Sequence, residues 1–398
     1  MKKRELKRIF MSFIAASAVL AACNGEEPSK QNEPTEQTEQ ANEHEQAQSE
    51  ESLSIDQEVT AYKEMKAELE KMKEGQEVDW DFVLNTYQSD LQPNVNAING
   101  DLDTTIQAAI SAGTNGKVDE NIARQLIDKV TQSYFYQKQK SLQKEAVALT
   151  NEQKFEEAKH TFEQIKHLIN EVFIPTAEKR DNYYELQGES SLVENIQNGV
   201  ALQEEALANE NADDFAVYLQ ITDKSIYKSY YLAVNSYAEK IAKGIEEGTD
   251  EAELKIMQAE AYGFYQAIKG SLSSGDEEAA MKLDELFSLD KTQPSTINAD
   301  EVNKLFIRAI SGKVKGYHGK VPAALDEGVI TEARVEALEG NMFLKMLEMP
   351  LKDILGEEKA QEAFQHAEEW YKAVEAGSKE EANTHSKAIL QIVDELLS

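Results

Sequence analysis

Cysteine occurs once in 398 residues, at position 23. A single thiol excludes an internal disulfide framework and a thiolate zinc site, so an ordinary core must supply the stability. Proline is scarce as well: beyond residue 53 it stands only at 93, 175, 294, 322 and 350. Alternating β-branched runs, the mark of strands, are missing. So are the common catalytic patterns, His-Glu-x-x-His, Gly-x-Ser-x-Gly, a phosphate-cradling glycine loop and Gly-x-Gly-x-x-Gly. The expectation is therefore a protein that is not an enzyme. Positive charge is also short: 41 Lys and Arg face 74 Asp and Glu, a net charge of −33. A chain of that sign repels phosphate backbones, and it has no basic stripe with interleaved aromatics, which argues against nucleic-acid binding. No apolar run reaches the ~20 residues a membrane-spanning helix needs.

What is present begins with an address. Lys2, Lys3, Arg4, Lys7 and Arg8 precede an apolar stretch from Ile9 to Ala22 that is interrupted only by Ser12 and Ser17. A basic start, a short apolar run and small residues at its end describe a secretory signal peptide. The run closes on Leu20-Ala21-Ala22-Cys23, which resembles the lipobox of bacterial lipoproteins. That resemblance implies cleavage before Cys23, lipidation of its thiol, and anchoring at the extracytoplasmic face of the cell membrane. Two acyl chains are enough for stable anchoring.

Residues 23–53 are expected to form a disordered acidic tether. From position 24 they hold nine Glu, one Lys and almost nothing apolar, too little to offset the entropy of ordering. After Ser54 the strong helix formers Ala, Glu, Lys, Leu and Gln dominate. Apolar residues recur at spacings of three and four. Ile55, Val59, Tyr62, Met65, Leu69 and Met72 form one stripe. Phe155, Ala158, Phe162, Ile165, Ile169 and Val172 form another, expected to stop at Pro175. Capping boxes are expected at Ser54/Gln57, Thr150/Gln153, Asn298/Glu301 and Ser378/Glu381. The fold class is all-α, a multi-helix bundle of roughly ten to twelve helices. Its length suggests two helical domains, 54–246 and 247–398, with the break at Gly244–Asp250. Ile127-Asp128-Lys129-Val130 with Tyr134-Phe135 matches Ala299-Asp300-Glu301-Val302 with Phe306-Ile307, and Asp223-Lys224 with Tyr230-Tyr231 is a looser copy.

Two patterns of metal-ligating residues stand out. His160, Glu163, His167 and Glu171 fall within about 80° of arc at ~100° per residue, on the face opposite the apolar stripe. His366 and Glu369 repeat the His-x-x-Glu spacing beside the apolar face of their helix. Histidine with carboxylate suits zinc or iron. An exported helical lipoprotein with His366-x-x-Glu369 is similar to the imelysin-type periplasmic proteins. That resemblance implies association with iron uptake and metal contact at these two residues. Phe364 and Gln365 stand where that family carries an aromatic and a glycine before the histidine.

Tyrosines gather at 134 and 136, at 183–184, and along 218, 227, 230, 231 and 237. Their spacing suits a core-facing stripe better than a ligand groove. The function expected is a surface-anchored, non-enzymatic binding or accessory protein serving uptake of a metal ion or small ligand, partnered by a membrane transporter or envelope protein. The alternatives are a structural or interaction protein of the envelope and, behind it, a metal-dependent hydrolase built on His366. Replacing Cys23 with Ser should release the protein into the medium or leave uncleaved precursor at the membrane. Normal processing and retention of that variant, read by fractionation and intact mass, would refute the lipid anchor.

Overall fold

The computed structural model describes residues 54–398; the leader, Cys23 and the tether lie outside the described residues. Every regular element described is a helix, with no strand among them. Fifteen α-helices have seven or more residues, somewhat more than the apolar periodicity suggests, because short helices follow one another without long loops.

The first helix, α1 (Ile55–Glu70), begins at a complete Ser54/Gln57 capping box. Ile55, Val59, Tyr62, Met65 and Leu69 are buried along one face as the spacing requires. α2 (Trp80–Asp90), α3 (Gln92–Ile98) and α4 (Gly100–Thr114) lead into α5 (Glu120–Asn151). α6 (Phe155–Leu168), α7 (Ile174–Tyr184) and α8 (Leu192–Ala208) return to the longest helix, α9 (Ala212–Glu247). There follow α10 (Glu251–Ser273), α11 (Glu277–Phe287), α12 (Ala299–Glu327), α13 (Ile330–Met346), α14 (Glu357–Glu375) and α15 (Lys379–Leu396).

α5 and α9 organise the rest. Every residue from Ile221 to Ala238 is buried, and from Ile122 to Tyr136 only Leu126 is half-buried. A helix enclosed all round must lie inside the bundle. α9 packs against α8, α10 and α13, while α5 packs against α4, α6 and α10. The tyrosines at 134, 136, 218, 227, 230, 231 and 237 are accordingly core residues; Tyr183 alone is well exposed. Ser54–Ser398 cluster as one compact unit. Gly244–Asp250, expected to separate two domains, is a tight turn at a left-handed Gly248, and α9 and α10 pack along each other on either side of it.

Local details depart from expectation where backbone geometry decides. Thr150 lies inside the last turn of α5 and donates to the Val147 carbonyl, so it caps nothing. Gln153 turns the chain instead, at φ 62°. Asn298 accepts from the Glu301 N–H as an N-cap, whereas Ser378 makes no side-chain cap. Pro175 does not end its helix. A π-helical segment, Ile169–Phe173, widens the preceding turn, and Pro175 sits in the first turn of α7, where its missing N–H costs little.

Close helix contacts rest on a few glycines. A Cβ on Gly263 of α10 would lie 2.4 Å from the Lys129 Cβ and 3.2 Å from its carbonyl carbon. Ser133 donates to the Gly263 carbonyl at 2.6 Å across the same contact. Gly263→Ala should therefore push α10 off α5 and cost about 1–3 kcal/mol, more than the helix propensity it gains. Gly316 in α12 has nothing within 4 Å of its would-be Cβ. Gly316→Ala should stabilise by about 0.5–1 kcal/mol. Chemical denaturation of both variants checks the pair, and shifts of equal sign would contradict this packing.

Candidate functional site

Burying charge in a helix core is costly unless the charge is paired and hydrogen-bonded. Asp128 of α5 and Asp223 of α9 are both buried, and both meet the cost in the same way. Asp128 takes hydrogen bonds from the Tyr62 hydroxyl at 2.5 Å, Lys129 Nζ at 2.6 Å and Gln132 Nε2 at 3.0 Å, with Lys66 Nζ at 3.5 Å. Asp223 takes them from the Tyr136 hydroxyl at 2.9 Å, Lys224 Nζ at 2.5 Å and Lys140 Nζ at 3.3 Å. In each case the adjacent lysine is one partner. A Tyr-x-x-x-Lys pair one helical turn apart on a neighbouring helix supplies two more. Burial alone would raise these carboxyls, but the flanking ammonium groups overcome it and hold both well below the usual carboxylate range.

Glu58 of α1 is caught by a third such pair, bonded to the Tyr134 hydroxyl with Lys138 Nζ at 3.7 Å. Asn94 also donates to it at 2.8 Å. Here burial wins over the hydrogen bonds, and the carboxyl is raised. The similarity seen in the sequence divides accordingly. The looser copy, Asp223-Lys224, reproduces the environment of Asp128-Lys129. The closer one does not, since Asp300 and Glu301 are exposed in the first turn of α12.

Beside the Asp128 cluster a cavity of about 300 Å³ opens between α1, α5, α7, α9 and α10. Seven cations and four carboxylates line it, an excess of three positive charges in a chain of net −33. Three cations are neutralised locally: Lys63 by Glu171, Lys73 by Glu70 at 2.7 Å, and Lys129 by Asp128. Arg124, Lys179 and Arg180 form no ion pair among the described residues. Arg180 is held instead by neutral groups, the Ser236 hydroxyl at 2.7 Å and the face of Tyr237 at 6.0 Å. Arg124 is 8% and Arg180 5% exposed, and the Nε of each is buried without a hydrogen-bond partner among the described residues. Oε1 of buried Gln125 is likewise unpartnered. Lys179, at the mouth, is pushed down by desolvation and by the neighbouring Lys129, Lys66 and Arg180 charges. Native proteins rarely leave such groups unmet. The cationic donors suit oxygen acceptors and negative charge, whereas the Gln125 oxygen suits a donor.

The π-helical turn is part of this construction. One extra residue in the turn rotates everything after it by about 100° relative to a continuous α-helix. That rotation places Thr176, Lys179 and Arg180 of α7 on the cavity, next to Glu171 and Val172 of the turn itself.

Apart from Glu171, which lines the cavity, the metal candidates named from the sequence come to rest elsewhere. In the first row Glu163 is paired with Lys166 at 2.6 Å, Glu171 with Lys63, and His167 lies 3.4 Å from Asp56, while His160 is exposed. His366 on α14 faces His385 on α15, Nδ1 to Nδ1 at 3.0 Å, and Glu369 is paired with Lys372 at 3.1 Å. Among the described residues no group of three or more His, Cys, Asp or Glu is arranged to hold a metal ion. Buried His318 stacks on Trp370 at 3.7 Å and bonds Ser386 at 2.8 Å. Its imidazole is pushed down to about 3 by desolvation, which keeps it neutral.

The cavity escaped sequence reasoning because its cations come from three separate helices, α1, α5 and α7, and the short turn after α1, and together they make no recognisable motif. The usable signal was the Asp-Lys dipeptide set inside an apolar, aromatic stretch. In comparisons with protein families, curated proteins and solved structures, the chain matches none.

Asp128→Asn should cost about 3 kcal/mol or more, because buried Lys129, half-buried Lys66 and the Tyr62 hydroxyl lose their counter-charge. Glu58→Gln should cost much less, because burial already disfavours the charged carboxyl there. The sign of the pH dependence follows. Asp128 and Asp223, depressed in the folded state, stabilise above the ordinary carboxylate value of about 4, and that contribution fades as pH falls below it. Urea midpoints between pH 7 and pH 3 should drop steeply for the wild type and less for Asp128→Asn. Parallel curves would contradict the pairing.

Proposed function

We propose that this chain is a lipid-anchored, non-enzymatic binding protein of the cell surface whose ligand is a small anion seated in the basic cavity. The observation that carries this reading is the excess of three positive charges around the cavity, with buried Arg124 and Arg180 in no ion pair among the described residues. A structural role does not require such an excess. The acidic exterior and the basic cavity serve different ends: the exterior solvates and disperses the protein, while the cavity concentrates counter-charge where water is partly excluded. The lipobox and the acidic tether support a place at the extracytoplasmic face of the cell membrane, where a binding protein would pass its ligand to a membrane transporter. Of the two ligand classes expected from the sequence, metal ion and small ligand, the geometry favours the second, with negative charge.

A ligand that prefers the folded state raises its melting temperature by mass action. At matched ionic strength, millimolar citrate, phosphate and succinate should raise the melting temperature of the wild type, and at least one should do so by several degrees. Zinc and ferrous ions should not. Arg180→Gln should lose the anion response while folding normally. A response to metal alone, or an anion response indifferent to Arg180, would overturn the reading and favour the metal or plain envelope role.

A further inference from the structure

The cavity's charges can be followed one by one. Lys63, Lys73 and Lys129 are neutralised by Glu171, Glu70 and Asp128. Lys66 stands 3.5 Å from Asp128, which is already engaged at closer range by Lys129 and Tyr62. That leaves Lys66, Arg124, Lys179 and Arg180 against a single remaining carboxylate, Glu260. A monovalent anion would leave most of this charge uncompensated.

The walls carry a second constraint. Tyr237 and Phe264 stack at 6.2 Å with an interplanar angle of 19°, and both line the cavity together with Tyr62. Lys129 Nζ lies 5.2 Å from the Phe264 ring and Arg180 lies over Tyr237. Arg180 is thus steadied by a ring face, which holds a charge without cancelling it. At about 300 Å³ the space is at the lower bound of small-molecule sites and far larger than a bare inorganic ion needs. Gln125 adds a neutral polar group with an unmet acceptor beside the cations, suited to a hydroxyl or other donor on the ligand.

Resting on the anion-binding reading above, we infer that the ligand is an organic oxyanion of two or three negative charges. Its charged groups would be gripped by Arg124, Lys179 and Arg180, and its carbon body would lie against the Tyr237–Phe264 wall. Arginine forks match carboxylate and phosphate oxygens alike. A polycarboxylate and a phosphate monoester are therefore the two sources of one chemistry.

The test is calorimetric titration of the full-length protein, in detergent, with butyrate, succinate, tricarballylate, inorganic phosphate and glycerol phosphate at fixed ionic strength. Affinity should rise at least tenfold from butyrate to succinate and again to tricarballylate, or from inorganic phosphate to glycerol phosphate. Which series responds identifies the source. Lys179→Gln alters an exposed side chain and should fold; it should remove about one tenfold step from the multivalent ligands and little from butyrate. Arg180→Lys, which keeps the charge but loses the fork, should weaken the multivalent ligands at least tenfold. If butyrate binds as tightly as its multivalent relatives, this inference falls and the anion reading stands. If no anion in the set binds more tightly than about millimolar, both fall. Inorganic phosphate binding as tightly as its ester, with no rise along the carboxylate series, would mean a bare-ion site and also refute the inference.

Discussion

The constraint on which this structure turns is the burial of carboxylates inside helices that are enclosed on every side. α5 and α9 sit so deep that Asp128 is only 4% and Asp223 only 2% exposed. Each must be met by cations and hydroxyls from whatever packs beside it. That requirement fixes the neighbours. Tyr62 and Lys66 must lie on the α1 face that meets Asp128, and Tyr136 and Lys140 on the α5 face that meets Asp223. Ion pairs of this kind add little net stability over apolar packing, but they penalise wrong registers strongly, because a slipped helix would strand a buried charge.

The same network explains how a chain of net −33 keeps a basic cavity. The cations recruited to Asp128 have no reason to stop at neutrality on its open side. Lys66 and Lys129 face both the aspartate and the cavity, and Arg180 is held by a hydroxyl and a ring. Positive charge held by neutral partners remains available to a ligand. Positive charge held by carboxylates, as at Lys63 and Lys73, does not. The distinction between paired and merely supported cations separates the site from the many ion pairs on the surface, which are worth little individually.

Much of the fold could be read from the sequence, and the site hardly at all. The stripes on α1 and α6, the Ser54 cap and the core role of the tyrosines followed from residue spacing, which is a local property. The reading failed where one residue's conformation decides, as at Gln153, which turns the chain with a positive φ, and at Pro175, which a π turn makes tolerable. Histidines drew attention because they are rare and chemically versatile, yet His366 meets His385 and His160 meets solvent. Lysine and arginine drew none, because 41 of them are spread along the chain. Only the fold shows which few are buried without a counter-charge.

The π turn at Ile169–Phe173 ties these levels together. It is a departure from the regular ladder, it lets a proline follow without breaking the chain's direction, and it re-aims α7. In a continuous α-helix Lys179 and Arg180 would be turned by about 100°, away from Arg124 and Lys129. The two guanidinium groups would then have no common space. Ile169, Val172 and Phe173 of the turn are buried, and Phe173 packs edge-on against Tyr136 and Tyr230, so the turn serves the core as well as the cavity. One local irregularity thus accommodates Pro175, seats Phe173 in the core and brings Lys179 and Arg180 to the same cavity as Arg124 and Lys129.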